Sequence, residues 1–325
     1  MPALARIRGV AGPHRLGFDR VAAFSSACGS SDVRWSYSVA NPMGGPWIFR
    51  MAYEAAVSNV AASNGAEVLS DHICTAGRHG GGWTVRTSTG RSIVADFVVW
   101  ANGRIDVARD LPFRCHIDRL VGDVWCAYAP VLTSVPDGVV HVDSLPWGWM
   151  YALASPKGVL SVTLFTEGDQ KVTPSQRETL LEESLTIAPS VSALLRDVQV
   201  KLEYRGRHSA VSCFRGTSRG VGWIAVGDAA QTVGPLSSSG IGVAMANAVH
   251  GAESRLEMLA GDGAALARHE LVRRETYASY LRSRAAYYAM ERRWTSEPFW
   301  QRRQSASVLA AALNSGGRSP ARPIS

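Results

Sequence analysis

The spacing of apolar positions divides this chain into strand-like and helix-like stretches. Trp223–Val226 is a short apolar run that reads as a buried strand, broken at Gly227-Asp228. Apolar residues then recur at Ile241, Ala244, Ala248, Ala252, Leu256 and Leu259, which predicts a helix from Gly240 to about Ala260, closed by Gly261-Asp262-Gly263. Leu266, Tyr277, Leu281, Ala285 and Tyr288 predict the buried stripe of a second long helix over 264–290. Nearer the start, Met51, Ala55, Val60 and Ala61 predict a helix over Pro46–Asn64, within 41–65, that ends at Asn64-Gly65. Thr173–Ala188 reads as a helix, with Pro174 in its first turn and Glu178, Glu182 and Glu183 near its start.

Between these helices the pattern is that of strands. Ala66–Ser70, Trp83–Thr87 and Ser92–Trp100 are expected strands, with Ser88-Thr89-Gly90-Arg91 as a hairpin turn and Gly80-Gly81-Gly82 in a hairpin-like loop. The run Ala95–Ala101 is nearly all apolar, which predicts a parallel strand buried on both faces. Arg119–Pro130, Gly138–Val142, Trp149–Leu153 and Gly158–Thr166 predict a second sheet, and Lys201–Phe214 another strand. The domain limits expected from this order are 1–110, 111–214, 215–262 and 263–313, with 314–325 a disordered tail by composition.

Composition narrows the function classes. The chain has 325 residues, 46% hydrophobic and 19% charged, which is ordinary globular usage. No apolar run is long enough for a membrane span, and no signal peptide is read at the N-terminus. Five cysteines (Cys28, Cys74, Cys115, Cys126, Cys213) lie scattered without CxxC spacing, which suits a reducing cytoplasm and gives no zinc pattern. The eight histidines form no HxH or HExxH, so no metal is expected. Net charge is +7, and Arg273, Arg274, Arg282, Arg284, Arg292, Arg293, Arg302 and Arg303 gather near the C-terminus. Glu275, Glu291 and Glu297 interrupt them, so a solvated face or a partner-docking surface is expected rather than nucleic-acid binding.

The chemistry concentrates in Gly222–Asn247, GWIAVGDAAQTVGPLSSSGIGVAMAN. Strand, Gly-Asp, turn and helix suit a large polar cofactor. Glycine lets backbone and ligand approach, the acid accepts hydroxyl hydrogen bonds, and the helix start offers free N–H groups. Gly227-Asp228-Ala229-Ala230, Pro235 and Ser238-Ser239-Gly240-Ile241 resemble the GDAAxxxxPxxxxG signature of FAD-dependent monooxygenases and flavin-dependent halogenases. Gly234 stands where those relatives often carry an acid. A second string, Asp96 to Arg104, resembles the D-x-V-V-x-A-x-G-R segment that returns the chain to FAD, with Asn102 departing from the usual Asp or Thr. The GxGxxG unit of such flavoproteins is absent from the first 60 residues. Trp147 and Trp149 resemble the W-x-W of halogenases, although Tyr151-Ala152 replaces its Ile-Pro. The segment after Ala27 and the string Tyr287–Arg303 resemble maturation factors of quinone-cofactor amino-acid oxidases, halogenase-like monooxygenases that act on an aromatic side chain of a partner protein.

What the resemblance implies is an α/β fold. An FAD-binding Rossmann-like domain of the p-hydroxybenzoate hydroxylase type would lack its first βαβ unit and carry an inserted, mostly antiparallel substrate-domain sheet and a C-terminal helical region. Asp228 would bond the ribityl chain of FAD, and Arg50 would contact its diphosphate. Gly103, Arg104 and Gly227 would pass close to the cofactor. Pro235, Ser239, Gly240 and Ile241 would lie against the isoalloxazine ring. Trp147 and Trp149 would wall the passage to the substrate, and no residue is assigned a direct catalytic step. The implied activity is an FAD-dependent oxidoreductase that hydroxylates an aromatic ring, on a small molecule or a partner protein side chain, with NAD(P)H or a separate flavin reductase as electron source. Three alternatives stay open: an N-terminally truncated remnant that binds a partner, a halogenase and a prenyl reductase. The halogenase lysine would fall before Met1 or be absent, so halogenation is not argued.

Overall fold

A computed structural model describes residues 21–37, 50–104, 114–128, 138–155, 158–169, 172–198 and 200–305. In chain order the elements are strands β1 (Ala23–Ala27) and β2 (Arg34–Tyr37), helix α1 (Arg50–Ser63), and strands β3 (Ile73–His79), β4 (Gly82–Thr87), β5 (Ser92–Ala95) and β6 (Val98–Trp100). Strands β7 (Arg114–His116), β8 (Leu120–Tyr128), β9 (Val139–Leu145), β10 (Gly148–Ala154) and β11 (Val159–Glu167) precede helices α2 (Pro174–Ile187) and α3 (Pro189–Val198). Then come β12 (Glu203–Ser209), β13 (Cys213–Arg215), β14 (Arg219–Gly220), β15 (Trp223–Ala225) and β16 (Gln231–Thr232). Helices α4 (Gly240–Leu259), α5 (Ala265–Ala289) and α6 (Pro298–Gln304) close the described chain.

The largest sheet runs β12-β8-β11-β10-β9-β1-β2. It is antiparallel throughout except where β1 lies parallel to β9. Period-two alternation sends its side chains into two separate cores. On one face Trp125, Leu145, Met150, Leu160 and Leu164 meet Leu181 of α2 and Val191 and Leu194 of α3. On the other, Leu120, Trp149 and Phe165 meet Tyr288, Phe299 and Trp300 from the C-terminal helices. Helix α2 starts where the sequence signals it: Thr173 and Gln176 form a reciprocal capping box and Pro174 occupies the first turn. The N-terminus of α3 is tied to the sheet by the buried Asp143 carboxylate, which accepts from Val191 N–H at 2.8 Å and Ala27 N–H at 3.2 Å.

Several expectations need correction. Ala66–Ser70 is not a strand; the partner of β4 is Ile73–His79, because the Gly80-Gly81 turn fixes the hairpin register. Ser92–Trp100 is two strands, with Ser92–Ala95 pairing antiparallel to β4 and Val98–Trp100 pairing parallel to β15. The parallel direction was expected, but burial on both faces is not found: Trp100 is buried while Val99 is 51% exposed. Lys201–Phe214 also divides between two sheets. The large sheet is not made from 111–214 alone, since β1 and β2 extend it. Of the helix expected over Pro46–Asn64, the part before Arg50 lies outside the described residues.

Helix α4 forms where its apolar spacing predicts, but its large apolar residues are not the ones it buries. The residues it buries are Asn247, Gly251 and Ser254, whereas Leu256 and Leu259 are each 65% exposed. Close approach explains this. A Cβ on Gly251 would lie 2.6 Å from Val226, so only a face of small residues can seat on the strand. The C-terminal arginines are likewise not a uniformly solvated face. Arg273, Arg284 and Arg303 are buried, Arg273 against Glu270 at 2.6 Å and Arg284 against Asp118 at 2.8 Å. Arg293, paired with Glu291 at 2.7 Å, donates to the Ala27 carbonyl, and Glu291 accepts from Gly29 N–H. The two segments that resemble the maturation factors therefore meet in space.

Where α5 meets α4, His269 is fully buried and stacks on His250. Burial, then the charges of His250 and Arg273, push its pKa from 6.5 to about 4. The folded protein thus holds His269 neutral while the unfolded chain takes up a proton. The stability this contributes is present above pH 6.5 and is lost as pH falls toward about 4. Urea unfolding across that window should show a slope of about 1.4 kcal/mol per pH unit for one proton. His269→Gln should remove that increment.

Candidate functional site

The site forms where two short strands end together. Strands β6 and β15 pair in parallel, Val98 with Trp223 through Trp100 with Ala225, and Val226 N–H donates to the Trp100 carbonyl at 2.9 Å. Their carboxyl ends therefore emerge side by side. One continues into Gly103-Arg104 and the other into Gly227-Asp228, so two motifs far apart in sequence share one rim. Ligands of open α/β sheets bind at such strand ends. Both glycines have positive φ, 67° at Gly103 and 57° at Gly227, which a side chain would strain. Arg104 Nε lies 3.6 Å from Asp228 Oδ2, with the two side chains 36% and 41% exposed. Arg104 also donates to the Ser209 carbonyl.

The Gly-Asp turn is fixed from behind. Gly227 N–H donates to Asn247 Oδ1 at 2.8 Å. Asn247 Nδ2 approaches His269 Nε2 at 3.5 Å, which places the proton of neutral His269 on Nδ1, where it is donated to His250 Nδ1 at 3.0 Å. Arg215, 1% exposed, donates through Nε to the Ala229 carbonyl and through its backbone N–H to the Ala230 carbonyl, each at 3.0 Å. Arg273 Nη1 adds a contact to the Ala230 carbonyl at 3.4 Å. Motif carbonyls are thereby held by buried cations on the side away from the rim.

The chain then turns through Pro235–Ser237 into α4. Ser238 adopts φ 48°, the one non-glycine residue with positive φ among the described residues. Ser237 and Ser239 share a hydroxyl hydrogen bond of 2.6 Å across it. Pro235, Ser239 and Gly240 are half-buried and Ile241 is exposed. Helix α1 begins at Arg50, and one turn later Tyr53 Oη donates to Met245 Sδ at 3.4 Å, which lays the first turn of α1 beside α4. Gly103, Arg104, Gly227 and Asp228 thus share the rim beside α4, and α1, which starts at Arg50, packs against that helix through Tyr53 and Met245.

The two tryptophans separate. Trp149 is 3% exposed and stacks on Phe165 at 4.1 Å in the cluster that includes Leu236 of the Pro235 turn. Trp147 lies in the opposite core, where its indole N–H donates to Ser184 of α2 at 3.1 Å. Of the pair, Trp149 belongs with the turn and Trp147 with the sheet's helical cover. The sequence assigns no role here to Asn247 or Arg215, and it places Arg273 only on a solvated or partner-docking face. The available signal was the polarity of Asn247 within the apolar run Val243–Val249; Arg215 and Arg273 sit in stretches of mixed polarity and gave none.

A large polar cofactor fits this rim on one structural ground. A Cβ built on Gly103 or Gly242 would meet no atom within 4 Å, and one on Gly240 would meet only Val233 at 3.8 Å. Open space therefore lies along the backbone of both motifs, with the Asp228 carboxylate and the first amides of α4 beside it. Among the described residues no group of His, Cys, Asp and Glu could hold a metal, and no helix is long and apolar enough to cross a membrane.

No family model matches the chain. It is 30% identical over 231 residues to LodB of Marinomonas mediterranea, a protein named as an FAD-dependent oxidoreductase, a match covering 68% of this chain and 60% of LodB. It is 28% identical over 246 residues to a tryptophan 2-halogenase of Chondromyces crocatus, covering 70% of this chain and 46% of that protein. The chain therefore spans less than two thirds of either relative. Among solved structures, the peptidyl tryptophan dihydroxylase QhpG superposes with a TM-score of 0.74 at 20% identity, over 94% of this chain and 69% of QhpG. The chondrochloren halogenase CndH superposes with a TM-score of 0.78 at 18% identity, over 95% of this chain and 77% of CndH.

Removing the anchor of the Gly-Asp turn should be measurable without any ligand. Asn247→Ala leaves Gly227 N–H without its acceptor and should lower unfolding free energy by about 1–3 kcal/mol in urea titrations.

Proposed function

From its similarity to LodB and to the tryptophan 2-halogenase, and the fold it shares with QhpG and CndH, we propose that this chain is a flavoprotein of the FAD-dependent monooxygenase and flavin-dependent halogenase superfamily, which binds FAD along the β6–β15 rim and acts as an oxidoreductase on an aromatic ring. The observation that carries this reading is the convergence of Gly103-Arg104 and Gly227-Asp228 on the N-terminus of α4. In it Asp228 accepts hydrogen bonds from the ribityl hydroxyls, and Arg104, at 3.6 Å, orients that carboxylate. Arg50 contributes charge for the diphosphate at the start of α1. The Pro235–Ile241 turn lies along the ring system, and the α4 N-terminus favours negative charge at its edge.

When bound, reduced flavin supplies the electrons that activate dioxygen. The chain's own task is placement and exclusion of water. Trp149, stacked on Phe165 and grouped with Leu236, forms an apolar wall beside the turn. Trp147, bonded to Ser184, holds the β9–β10 corner that carries Trp149. The proposed substrate is an electron-rich ring, either of a small molecule or of a side chain on a partner protein. Likeness to QhpG, a peptidyl tryptophan dihydroxylase, favours a partner side chain. NAD(P)H or a separate flavin reductase is the proposed electron source.

The test is to incubate the 325-residue chain with FAD, desalt it and record its visible spectrum. Retained flavin bands are the expected outcome, and a colourless protein overturns the reading. Asp228→Ala should weaken FAD binding at least about tenfold, through loss of charge-assisted hydrogen bonds to the ribityl chain.

A further inference from the structure

Beneath the turn that leads into α4 runs a chain of hydrogen bonds that the proposed function does not use. Gly234 N–H donates to Tyr280 Oη at 2.8 Å, and Tyr280 Oη lies 2.6 Å from Ser212 Oγ. Ser212 gives its backbone N–H to Asp118 Oδ1 at 2.9 Å and its hydroxyl to Oδ2 at 3.3 Å. Arg284 Nη2 donates to the same Oδ2 at 2.8 Å. The directions are set by the ends. A carboxylate only accepts, so the Ser212 hydroxyl points to Asp118, the Tyr280 hydroxyl points to Ser212, and a Tyr280 lone pair is left for Gly234. Burial raises the Tyr280 phenol to about 12, which keeps it a donor. Bonds aligned in one direction polarise one another.

The contact is close as well as polar. A Cβ on Gly234 would lie 3.0 Å from Tyr280 Oη and 3.2 Å from Ser212 Oγ. Just beyond Gly234, Pro235 fixes one backbone angle, and Ser238 is held at a positive φ that its side chain disfavours. Such a turn persists only where its surroundings determine it. Tyr277, almost one turn earlier on α5, offers an internal contrast. It is buried in the same cluster as Tyr280, but its hydroxyl has no hydrogen-bond partner among the described residues.

Resting on the FAD reading above, we propose that Tyr280 is a positioning residue of the flavin site, which through Gly234 fixes the Gly234–Ser239 turn and so aims the first amides of α4. Ser212, Asp118 and Arg284 hold Tyr280 in that role.

The experiment compares Tyr280→Phe with Tyr277→Phe in the full chain, by hydrogen exchange of the amides in 231–243 and by FAD titration. Tyr280→Phe should speed exchange of the turn about tenfold, weaken FAD binding about tenfold and shift the bound flavin's absorption, whereas Tyr277→Phe should do none of these. Gly234→Ala should be costly in the parent and milder in the Tyr280→Phe background, because the nearer of the two hydroxyls that the Cβ meets is then gone. Equal behaviour of the two phenylalanine variants overturns the proposal. Faster exchange with unchanged FAD affinity overturns the flavin-site role. If the parent retains no FAD, the cofactor reading fails, and the exchange comparison alone decides whether Tyr280 anchors the turn. Should Tyr280→Phe not fold, Ser212→Ala cuts the same chain one bond further on and is read identically.

Discussion

The parallel pairing of β6 with β15 is the contact on which the site depends, and it is small. Three residue pairs bring Gly103-Arg104 and Gly227-Asp228 to one rim, across more than a hundred residues of intervening chain. So short a ladder is stable only with cover. Helix α4 supplies it by seating Gly251 against Val226 and by returning Asn247 to Gly227 N–H. That proximity demands small side chains on the buried face. The larger ones, Leu256 and Leu259, are left on the outer face. The same helix thus serves two ends: its middle clamps the strand, and its N-terminus presents unpaired amides to the rim.

Buried ion pairs tie this unit to the rest of the molecule. Arg273 with Glu270 secures the back of the Gly-Asp motif, Arg284 with Asp118 the turn before α4, and Arg293 with Glu291 the loop at Gly29. On the large sheet, Asp123, 1% exposed, takes both Arg177 and Arg207. Such pairs contribute little net stability, because desolvation opposes attraction, but losing one partner strands a buried charge at high cost. Their consequence here is orientational. Arg284 ties α5 to Asp118 before β8, and Arg273, braced by Glu270, reaches from α5 to the Arg215 and Ala230 carbonyls. Glu291 illustrates the balance: burial opposes its ionisation, yet hydrogen bonds from Arg293 and Gly29 hold its pKa at about 2.

Two layers of aromatic rings divide the labour of the large sheet. Trp125 and Trp147 fill the face under α2 and α3, while Trp149 and Phe165 face the C-terminal helices and Leu236. A turn at Pro146-Trp147 followed by strand alternation is enough to send two tryptophans two positions apart into different cores.

The sequence by itself determined the local chemistry. Gly227-Asp228, the helix start at Gly240, the Thr173-Pro174 cap and the β8–β11 alternation are each encoded within a few residues, because glycine conformations, caps and strand periodicity are short-range properties. It also gave the parallel sense of β6. What it could not carry was which face of an element meets a neighbour. The small-residue face of α4, the split of Ser92–Trp100 between two sheets, the burial of Arg273 and Arg284, and the parting of Trp147 from Trp149 all depend on the distance to a partner remote in sequence. An arginine reads as solvated until an acid such as Glu270 or Asp118 is brought beside it, and nothing near Tyr280 in sequence records that Gly234 lies at its hydroxyl. The tertiary structure decided these because pairing and close approach are properties of two segments at once, and neither segment alone records them.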